Sequence, residues 1–390
     1  MSGSLSSLYI HIPYCISKCA YCDFFSLPQG NRVPDDYIDA LCKEIAYRVA
    51  ELKIQELKTI YIGGGTPSLL SELQFQKIFS TIKSLVKIAD DSEITVEVNP
   101  DDVSSELLEC LRQCGVNRLS CGLQSMNDAA LKRACRRADL STNRKALSLI
   151  KDEWKGEVSF DLISGLPGDD EKSLLAGLEE VVSYNPSHIS LYSLTIEEKT
   201  PFGRQLDAGL LDYDFDYADK LWLSGRDFLE SKGYKWYEVS NFCREGKECA
   251  HNLVYWTHGA YAGCGAAACG TAYNEDGSGV RWTNTTDVKK YIDFWVQRPA
   301  DMPPQTFENI DKETSQFEFF MMGLRKLKGI RASDYKTIFG QELPEKFLQL
   351  FSEWEKKGLC VKMEDSCGDT AYAMSREGML FLNRFNMGLL

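Results

Sequence analysis

The sequence predicts an α/β fold with a central parallel sheet, followed by a smaller and mostly helical C-terminal domain. Short runs rich in Val, Ile, Leu and Tyr alternate with runs of helical period in the first half of the chain. Each strand-like run ends in a turn rich in Gly, Pro, Asn or Ser, and the pattern changes beyond residue 300. Such alternation indicates βα units, whose strands lie parallel in one sheet.

Six strands are predicted from alternating or continuous apolar runs. They cover residues 7–12, 58–62, 93–98, 118–123, 158–163 and 188–194. Helices are predicted after Pro34, from about Ser71 and from about Ser104, and residues of helical period follow the fourth and fifth strands. Because the carboxyl ends of parallel strands meet at one edge, side chains on the following turns can converge into one site.

Domain boundaries are predicted near residues 235 and 300. Residues 1–235 hold the βα units, 236–300 form a connecting segment, and 301–390 form the C-terminal domain. Residues 299–305 contain three prolines and predict a linker. Amphipathic helices are predicted over 313–330 and 343–359, and the tail ends in a strand-like and helical stretch. A winged helix is one form that this domain could take.

Composition excludes several classes of function. The formal net charge is -13 and no block of Lys or Arg occurs, so a nucleic-acid backbone would be repelled. No apolar run approaches the roughly 18 residues needed to cross a bilayer. The start of the sequence lacks the basic and apolar regions of a secretion signal. We therefore expect a cytoplasmic protein with no membrane span and no nucleic-acid partner.

Three of the fourteen cysteines lie within eight residues and indicate an iron–sulfur cluster. Cys15, Cys19 and Cys22 have C-x3-C-x2-C spacing directly after the first predicted strand. Thiolates suit such clusters, and three ligands leave one iron open. The alternative is a structural zinc with His11 as fourth ligand, but His11 lies within an apolar alternation. The other eleven cysteines are expected to be mostly small buried hydrophobic residues in a reducing compartment.

Polar or glycine-rich turns follow several of the predicted strands. Three glycines precede Thr66 after the second strand, and glycines let backbone N–H groups approach a ligand closely. Glu97, Gln124 and Asp161 lie at the ends of the next three strands. Any one of these could be an ordinary turn, but together with the cysteine triplet they predict a cofactor site.

The cysteine spacing resembles the signature of the radical S-adenosylmethionine (radical SAM) superfamily. That resemblance implies a partial (β/α)6 barrel, a [4Fe-4S] cluster on Cys15, Cys19 and Cys22, and S-adenosylmethionine on the open iron, where one electron would release a 5′-deoxyadenosyl radical. The whole pattern is similar to the branch that contains oxygen-independent coproporphyrinogen III oxidase. The resemblance extends from Tyr9 through the C-terminal domain.

This resemblance assigns further roles to individual residues. It implies that Tyr9 and Tyr21 are cofactor neighbours and that Gly64, Gly65 and Thr66 cradle the amino-acid part. The polar contacts that it implies are Glu97, Gln124, Arg136 and Asp161, some of which could hold a second S-adenosylmethionine. Cys135 and Ala138 stand where relatives commonly have Gly and His, so Arg133 and Arg137 remain alternatives to Arg136.

A second motif, HNxxYW at residues 251–256, resembles that of the heme chaperones in this branch. An imidazole can bind heme iron, and neighbouring aromatic side chains offer flat apolar surface to a porphyrin. The resemblance implies that His251 is the heme ligand, with His258 and Cys249 as alternatives, while His188 is expected to be structural. Phe24 stands where the oxidases have a further cysteine.

The resulting hypothesis is a heme chaperone that passes heme to a recipient hemoprotein and uses a cluster and S-adenosylmethionine. Its expected partners are heme, the recipient and an electron donor for the cluster, and it could form a homodimer. One alternative is a radical enzyme, either a coproporphyrinogen III dehydrogenase or an oxidoreductase or methylase of unknown substrate. Another is a binding module in which the cluster is purely structural.

Overall fold

A large sheet, smaller sheets and covering helices make up the chain, which is described here from a computed structural model over residues 5–28, 30–297, 302–364 and 368–390. The strands within these residues are β1 (Ser7–Ile12), β2 (Tyr14–Cys15), β3 (Leu27–Pro28), β4 (Glu56–Gly64), β5 (Lys87–Val98), β6 (Arg118–Gln124), β7 (Glu157–Ser164), β8 (His188–Ser193), β9 (Lys235–Glu238), β10 (Asn241–Cys243), β11 (Ala262–Cys264), β12 (Cys269–Tyr273), β13 (Gly279–Asn284), β14 (Gln305–Ile310), β15 (Ile330–Arg331), β16 (Cys360–Glu364) and β17 (Thr370–Met374).

Helices connect and cover these strands. They are α1 (Asp35–Glu51), α2 (Glu72–Leu85), α3 (Ser105–Cys114), α4 (Asp128–Arg133), α5 (Leu140–Glu153), α6 (Glu171–Ser183), α7 (Pro201–Asp207), α8 (Phe215–Ser231), α9 (Ala250–Trp256), α10 (Val288–Gln297), α11 (Lys312–Gly323), α12 (Ala332–Phe339), α13 (Glu345–Glu355) and α14 (Leu382–Met387). Single 3-10 turns cover Pro67–Leu69, Pro100–Asp102 and Gly378–Phe381.

The large sheet contains all six predicted strands. Its order is β11-β1-β4-β5-β6-β7-β8-β10-β9, and the strands from β1 to β8 in this order run parallel. No pairing joins the edge strands β9 and β11 within the described residues. The predicted α/β fold with a central parallel sheet is confirmed, and the open sheet matches a partial barrel.

Local sequence signals explain where the predicted helices begin. Ser71 caps α2, since its hydroxyl accepts from the Gln74 N–H while the Gln74 side chain accepts from the Ser71 N–H. Ser104 caps α3 by a single hydrogen bond, which its hydroxyl accepts from the Leu107 N–H. Such caps satisfy amide groups that the first turn leaves without partners. The helix starts predicted at these two serines are confirmed.

The middle segment attaches to both edges of the large sheet. Strands β9 and β10 extend it antiparallel to β8, and β11 adds a parallel strand beside β1. Helix α9 lies between these additions and packs against β4. Strands β12, β13 and β14 form a separate antiparallel sheet.

The C-terminal domain has the order of elements typical of a winged helix. Helices α11, α12 and α13 accompany an antiparallel sheet of order β15-β17-β16. Its core is aromatic, with the rings of Phe320 and Phe347 stacked 4.3 Å apart. The helix predicted over 313–330 is too long, because α11 ends at Gly323. A Cβ at Gly329, whose φ is +64°, would lie 2.0 Å from the Tyr372 carbonyl oxygen, so the chain turns there into β15.

Some sequence predictions fall outside the described residues. These are the boundary at 300, residues 299–301 of the predicted linker, and Cys367. Among the helices in the described ranges, none combines the length and apolar character needed to cross a membrane.

A buried carboxylate joins α1 to the middle segment. Glu44 accepts hydrogen bonds from the Gly265 N–H at 2.7 Å, the Asn284 side chain at 2.7 Å and the Tyr291 hydroxyl at 2.6 Å. Arg48 lies 3.7 Å away on the same helix. Burial raises the pKa of Glu44, and Arg48 and the three donors oppose that shift. The carboxylate therefore holds three separate chain segments around one point.

Replacing Glu44 with alanine should destabilise the protein strongly. It leaves three buried donors without their acceptor and removes one carboxylate from the buried Arg48, which still donates to Glu51. Breaking a buried charged network of this kind typically costs about 3–5 kcal/mol. Chemical denaturation followed by tryptophan fluorescence measures the change, since Trp282 and Trp295 are buried in this region. Glu56→Ala, which removes a solvent-exposed ion pair with Lys87, should change stability by less than about 1 kcal/mol. Equal effects of the two variants would contradict this account.

Candidate functional site

A cavity of about 470 Å³ opens at the carboxyl ends of the parallel strands. Eleven of the thirteen predicted site residues line it: Cys15, Cys19, Tyr21, Cys22, Gly64, Gly65, Thr66, Glu97, Gln124, Arg136 and Asp161. Tyr9 and His251 are absent from the lining. The volume falls in the range of small-molecule sites, which are usually preformed clefts at this edge of α/β sheets.

The three cysteines follow β1, with Cys15 at the end of the short strand β2 and the other two on the loop beyond it, and each is partly exposed to the cavity. The loop is held by its middle residue, because the Ala20 N–H donates to the Ala134 carbonyl and the Ala20 carbonyl accepts from the Phe202 N–H, both at 2.9 Å. Burial raises the pKa of the Cys22 thiol. In the described ranges, no three His, Cys, Asp or Glu side chains come close enough to share one metal ion.

Two side chains donate hydrogen bonds to the cysteine sulfurs. Thr66 Oγ1 lies 3.4 Å from Cys15 Sγ, and Arg136 Nη1 lies 3.5 Å from Cys19 Sγ. Donors of this kind stabilise thiolates and tune iron–sulfur clusters. A loop with three cavity-facing thiols and two external donors fits a [4Fe-4S] cluster, whose thiolates bind different iron atoms instead of converging on one.

The glycine turn at the end of β4 touches the cysteine loop. A Cβ at Gly65 would lie 2.6 Å from the Tyr14 carbonyl oxygen and 3.0 Å from Cys15 Sγ, so only glycine allows this approach. Gly64 has φ +115°, a conformation that favours glycine. Its N–H donates to Glu97 at 3.1 Å. The Gly65 N–H donates to the Ile12 carbonyl at 2.8 Å, so the turn is fixed against the start of the cysteine loop by its own backbone.

Two carboxylates stand on neighbouring parts of the cavity wall. Glu97 accepts from the Tyr61 hydroxyl at 2.9 Å, and burial together with the nearby Asp161 charge raises the pKa of Glu97 to about 7. Asp161 accepts from Ser120 and Ser159 at 2.6 and 2.9 Å, and burial raises its pKa. Both can accept hydrogen bonds from amino or hydroxyl groups of a ligand.

Of the three candidate arginines, the structure places Arg136 in the cavity. Its Nη2 donates to the Gly122 carbonyl at 2.7 Å, and its buried Nε has no partner in the described part of the chain. Arg137 instead pairs with Asp102 at 2.7 Å. Arg133 does not line the cavity. An unpaired buried N–H facing this region suits an anionic ligand or the cluster sulfides.

Among the cavity residues that were not predicted as site residues, Asn99 and Tyr192 stand out. Asn99 donates to Thr66 Oγ1 and accepts from Arg136, both at 3.3 Å, and so connects the donors of both cysteine sulfurs. Tyr192, at the end of β8, lines the cavity and is 41% exposed. The signal for Asn99 was its position two residues after Glu97 in the same strand-end turn, and Tyr192 lies within a predicted strand end.

Tyr9 and Tyr21, both implied as cofactor neighbours, occupy different places. Tyr21 lines the cavity, and burial raises its pKa. The Tyr9 hydroxyl lies 2.9 Å from His11 Nδ1, and its ring stacks on Tyr61 at 6.2 Å. His11 Nε2 lies 3.0 Å from the Phe25 carbonyl, so both its nitrogens are engaged within the protein.

The HNxxYW motif forms α9 at the opposite, amino end of the parallel strands. His251 is 1% exposed, with Nδ1 2.8 Å from Thr59 Oγ1 and Nε2 2.9 Å from the Tyr255 hydroxyl. Burial lowers the pKa of His251 to about 3. Its ring stacks on Tyr61 at 5.1 Å. The imidazole is therefore neutral, and a metal could bind it only after α9 releases one nitrogen.

Glu93 holds the start of α9. Its carboxylate accepts from the Ala250 and His251 N–H groups at 3.0 and 2.9 Å, and Arg118 lies 3.5 Å from it. Anions at a helix start are favourable because the first amides have no intrahelical partners. The Cys249 thiol also contacts Glu93 at 3.3 Å, and burial raises its pKa.

The other histidines are also enclosed. His258 is stacked on Tyr273 at 4.1 Å and lies 2.9 Å from the Ser315 hydroxyl, and burial lowers its pKa to about 4. His188 bridges Ser159 and Tyr237 at 2.8 and 2.9 Å, as expected for a structural role. His258 and Cys249 are thus buried like His251, but His258 Nδ1, unlike either nitrogen of His251, has no hydrogen-bond partner among the described residues.

Two parts of this chain match known protein families. Residues 9–181 match the radical SAM superfamily, and residues 310–381 match the HemN C-terminal domain. The heme chaperone HemW of Bacillus subtilis is 34% identical over 97% of both chains. The heme chaperone HemW of Escherichia coli is 37% identical over 86% of both chains.

A solved structure shares the fold over nearly the whole chain. It is coproporphyrinogen III oxidase (HemN) from Escherichia coli, a radical SAM enzyme, with a TM-score of 0.82 and 21% sequence identity. The match covers 99% of this chain and 90% of that one. At this identity the likeness concerns the fold.

Cys15→Ser should abolish cluster assembly, because a serine hydroxyl replaces a thiolate that Thr66 helps to stabilise. After anaerobic reconstitution with iron and sulfide, iron content and visible absorption should fall to near background. Cys135→Ser is the matched control, since Cys135 is exposed and lies beside Arg136 without lining the cavity. Full iron content in Cys15→Ser, or equal loss in both variants, would argue against a cluster on this loop.

Proposed function

Because this chain belongs to the HemW family of heme chaperones within the radical SAM superfamily, we propose that it binds heme and transfers it to a recipient hemoprotein with the support of a [4Fe-4S] cluster and S-adenosylmethionine. The observation that carries the proposal is the similarity to heme chaperones along the full chain, joined with an HNxxYW helix that packs beneath a three-cysteine cavity. The proposal includes an electron donor for the cluster, a cytoplasmic location and a homodimer.

In this proposal Cys15, Cys19 and Cys22 hold the cluster. The Gly64–Gly65 turn faces the amino-acid part of S-adenosylmethionine, and Glu97 and Asp161 accept hydrogen bonds from its amino group and ribose hydroxyls. The cluster and S-adenosylmethionine supply one-electron chemistry when bound. Thr66 and Arg136 donate hydrogen bonds to the cysteine sulfurs. These bonds stabilise the negative charge that the thiolates and the cluster carry.

Heme is the cargo, and His251 is its proposed ligand. The resting conformation keeps both imidazole nitrogens engaged, so α9 must open before iron can bind. Exchanging one neutral hydrogen bond for water costs only about 0.5–1.5 kcal/mol. An iron–imidazole bond and porphyrin burial against Tyr255 and Trp256 can exceed that cost. Opening of this short helix is therefore compatible with tight binding.

A coproporphyrinogen III dehydrogenase remains the rival in another class. The solved structure of coproporphyrinogen III oxidase resembles this chain in its fold. Phe24, which stands where the oxidases have a further cysteine, is 72% exposed at the cavity rim. A side chain without an ionisable proton cannot replace a thiol in proton or hydrogen transfer, and this favours the chaperone.

Heme titration of the reconstituted protein tests the proposal. We expect the wild type to bind heme stoichiometrically and His251→Ala to lose it, as followed by absorption spectroscopy. Tyr255→Phe removes the hydroxyl that competes for Nε2 and should strengthen heme binding severalfold, because about one hydrogen bond no longer opposes ligation.

Tyr261→Phe is the control, since Tyr261 packs against Tyr255 at 4.7 Å but does not touch His251. It should leave heme affinity unchanged. No heme binding by the cluster-loaded wild type would overturn the proposal and favour the radical enzyme, to be assayed with coproporphyrinogen III.

Binding of S-adenosylmethionine should weaken as the pH falls through about 7. Burial raises the pKa of Glu97 to about 7, so the carboxylate that attracts this cationic ligand is ionised above that pH and becomes neutral below it. Equilibrium dialysis between pH 6 and 8 measures the trend, and Glu97→Gln should flatten it. An unchanged pH profile in Glu97→Gln would assign the dependence to another group.

A further inference from the structure

Tyr61 is the one β4 side chain in the described structure that contacts both the cavity carboxylate and the motif histidine. Its hydroxyl donates to Glu97 Oε1 at 2.9 Å, and its ring stacks on His251 at 5.1 Å with planes 27° apart. Thr59, two residues earlier on the same strand face, holds His251 Nδ1. One strand face thus connects the two sites.

A second set of contacts begins at the same glycine turn. Gly64 packs so closely against His11 that a Cβ would lie 2.6 Å from its ring, and His11 Nδ1 lies 2.9 Å from the Tyr9 hydroxyl. The Tyr9 ring then lies 6.2 Å from that of Tyr61 and 6.5 Å from that of His251. Both sets of contacts therefore end at the rings of Tyr9 and Tyr61, which lie beside His251.

The consequence of ligand binding follows from electrostatics. A cationic, amino-bearing ligand in the cavity favours the ionised form of Glu97. A hydrogen bond to an ionised carboxylate is stronger than one to a neutral acid, so the Tyr61 hydroxyl is held more firmly. The Tyr61 ring then stays stacked on His251, which is the closed arrangement of α9.

We propose that Tyr61 is a positioning residue that couples the two sites, so that S-adenosylmethionine bound at Glu97 keeps α9 closed over His251 and antagonises heme. The inference rests on the proposed function for the identity of both ligands. Because coupling between two binding sites is reciprocal, heme bound to His251 weakens S-adenosylmethionine binding by the same factor. Cofactor binding would then promote release of the cargo.

The first test needs no heme. Amide hydrogen exchange of residues 250–256 is measured on cluster-loaded protein with and without S-adenosylmethionine, in the absence of a reductant so that the ligand stays intact. Exchange in the wild type should slow by about fivefold or more, the lower end of typical coupling factors. In Tyr61→Phe, which keeps the ring but loses the hydroxyl, the ligand should still bind but leave this exchange unchanged.

Tyr234→Phe is the matched control, because it removes another buried tyrosine hydroxyl, one that donates to the Pro186 carbonyl away from both sites. It should behave like the wild type. Unchanged exchange in the ligand-bound wild type, faster exchange, or equal protection in Tyr61→Phe would each overturn the coupling.

The second test uses heme. Its dissociation constant should rise about fivefold or more with saturating S-adenosylmethionine in the wild type and stay constant in Tyr61→Phe. A constant value in the wild type, or the same rise in both proteins, would also overturn the coupling. Complete absence of heme binding would instead overturn the proposed function, and the heme-free exchange experiment would still decide the role of Tyr61.

Discussion

The close packing of the glycine turn against the cysteine loop is the contact on which the cavity depends. Any side chain at Gly65 would collide with the Tyr14 carbonyl and Cys15 Sγ. This approach places the Thr66 hydroxyl on Cys15, and Asn99 extends the contact to Arg136 and Cys19. Three strand ends are thereby fixed around one set of thiols. Preorganisation of this kind is what a site for a large inorganic cofactor requires.

Strand β4 links the two ends of the parallel sheet. Its carboxyl end forms the glycine turn at the cavity, while Thr59 near its amino end holds the motif histidine. The catalytic edge of such folds is normally the carboxyl edge alone, and the amino edge usually contributes stability. Here the amino edge carries α9, capped by Glu93, with a neutral histidine pointing inward. The same strand therefore contacts both the cavity and the proposed heme ligand.

The fold and most of the cavity were predictable because they depend on local patterns. Alternating apolar residues marked all six parallel strands, and polar residues at strand ends marked Glu97, Gln124 and Asp161. The burial of His251 was not predictable, because it depends on Thr59, which lies 192 positions away in the chain. Glu44 was missed for a similar reason: its partners come from residues 265–291, and a single acidic residue on an amphipathic helix resembles any solvent-exposed one. The end of α11 was missed because Gly323 packs against Ile330 of β15 and the turn at Gly329 packs against β17, contacts that a helical period does not reveal.

The enclosed state of His251 acts as a filter on what the proposed heme site can capture. Free transition-metal ions bind exposed imidazoles readily, but here a lone ion would have to open α9 and displace the Tyr255 hydrogen bond in return for one coordination bond. A metalloporphyrin offers the same bond together with a broad apolar face, which gains free energy when it leaves water. Selectivity for a metalloporphyrin over free metal ions can thus arise from the free-energy cost of opening a seven-residue helix. It needs no residue that recognises the porphyrin by hydrogen bonds.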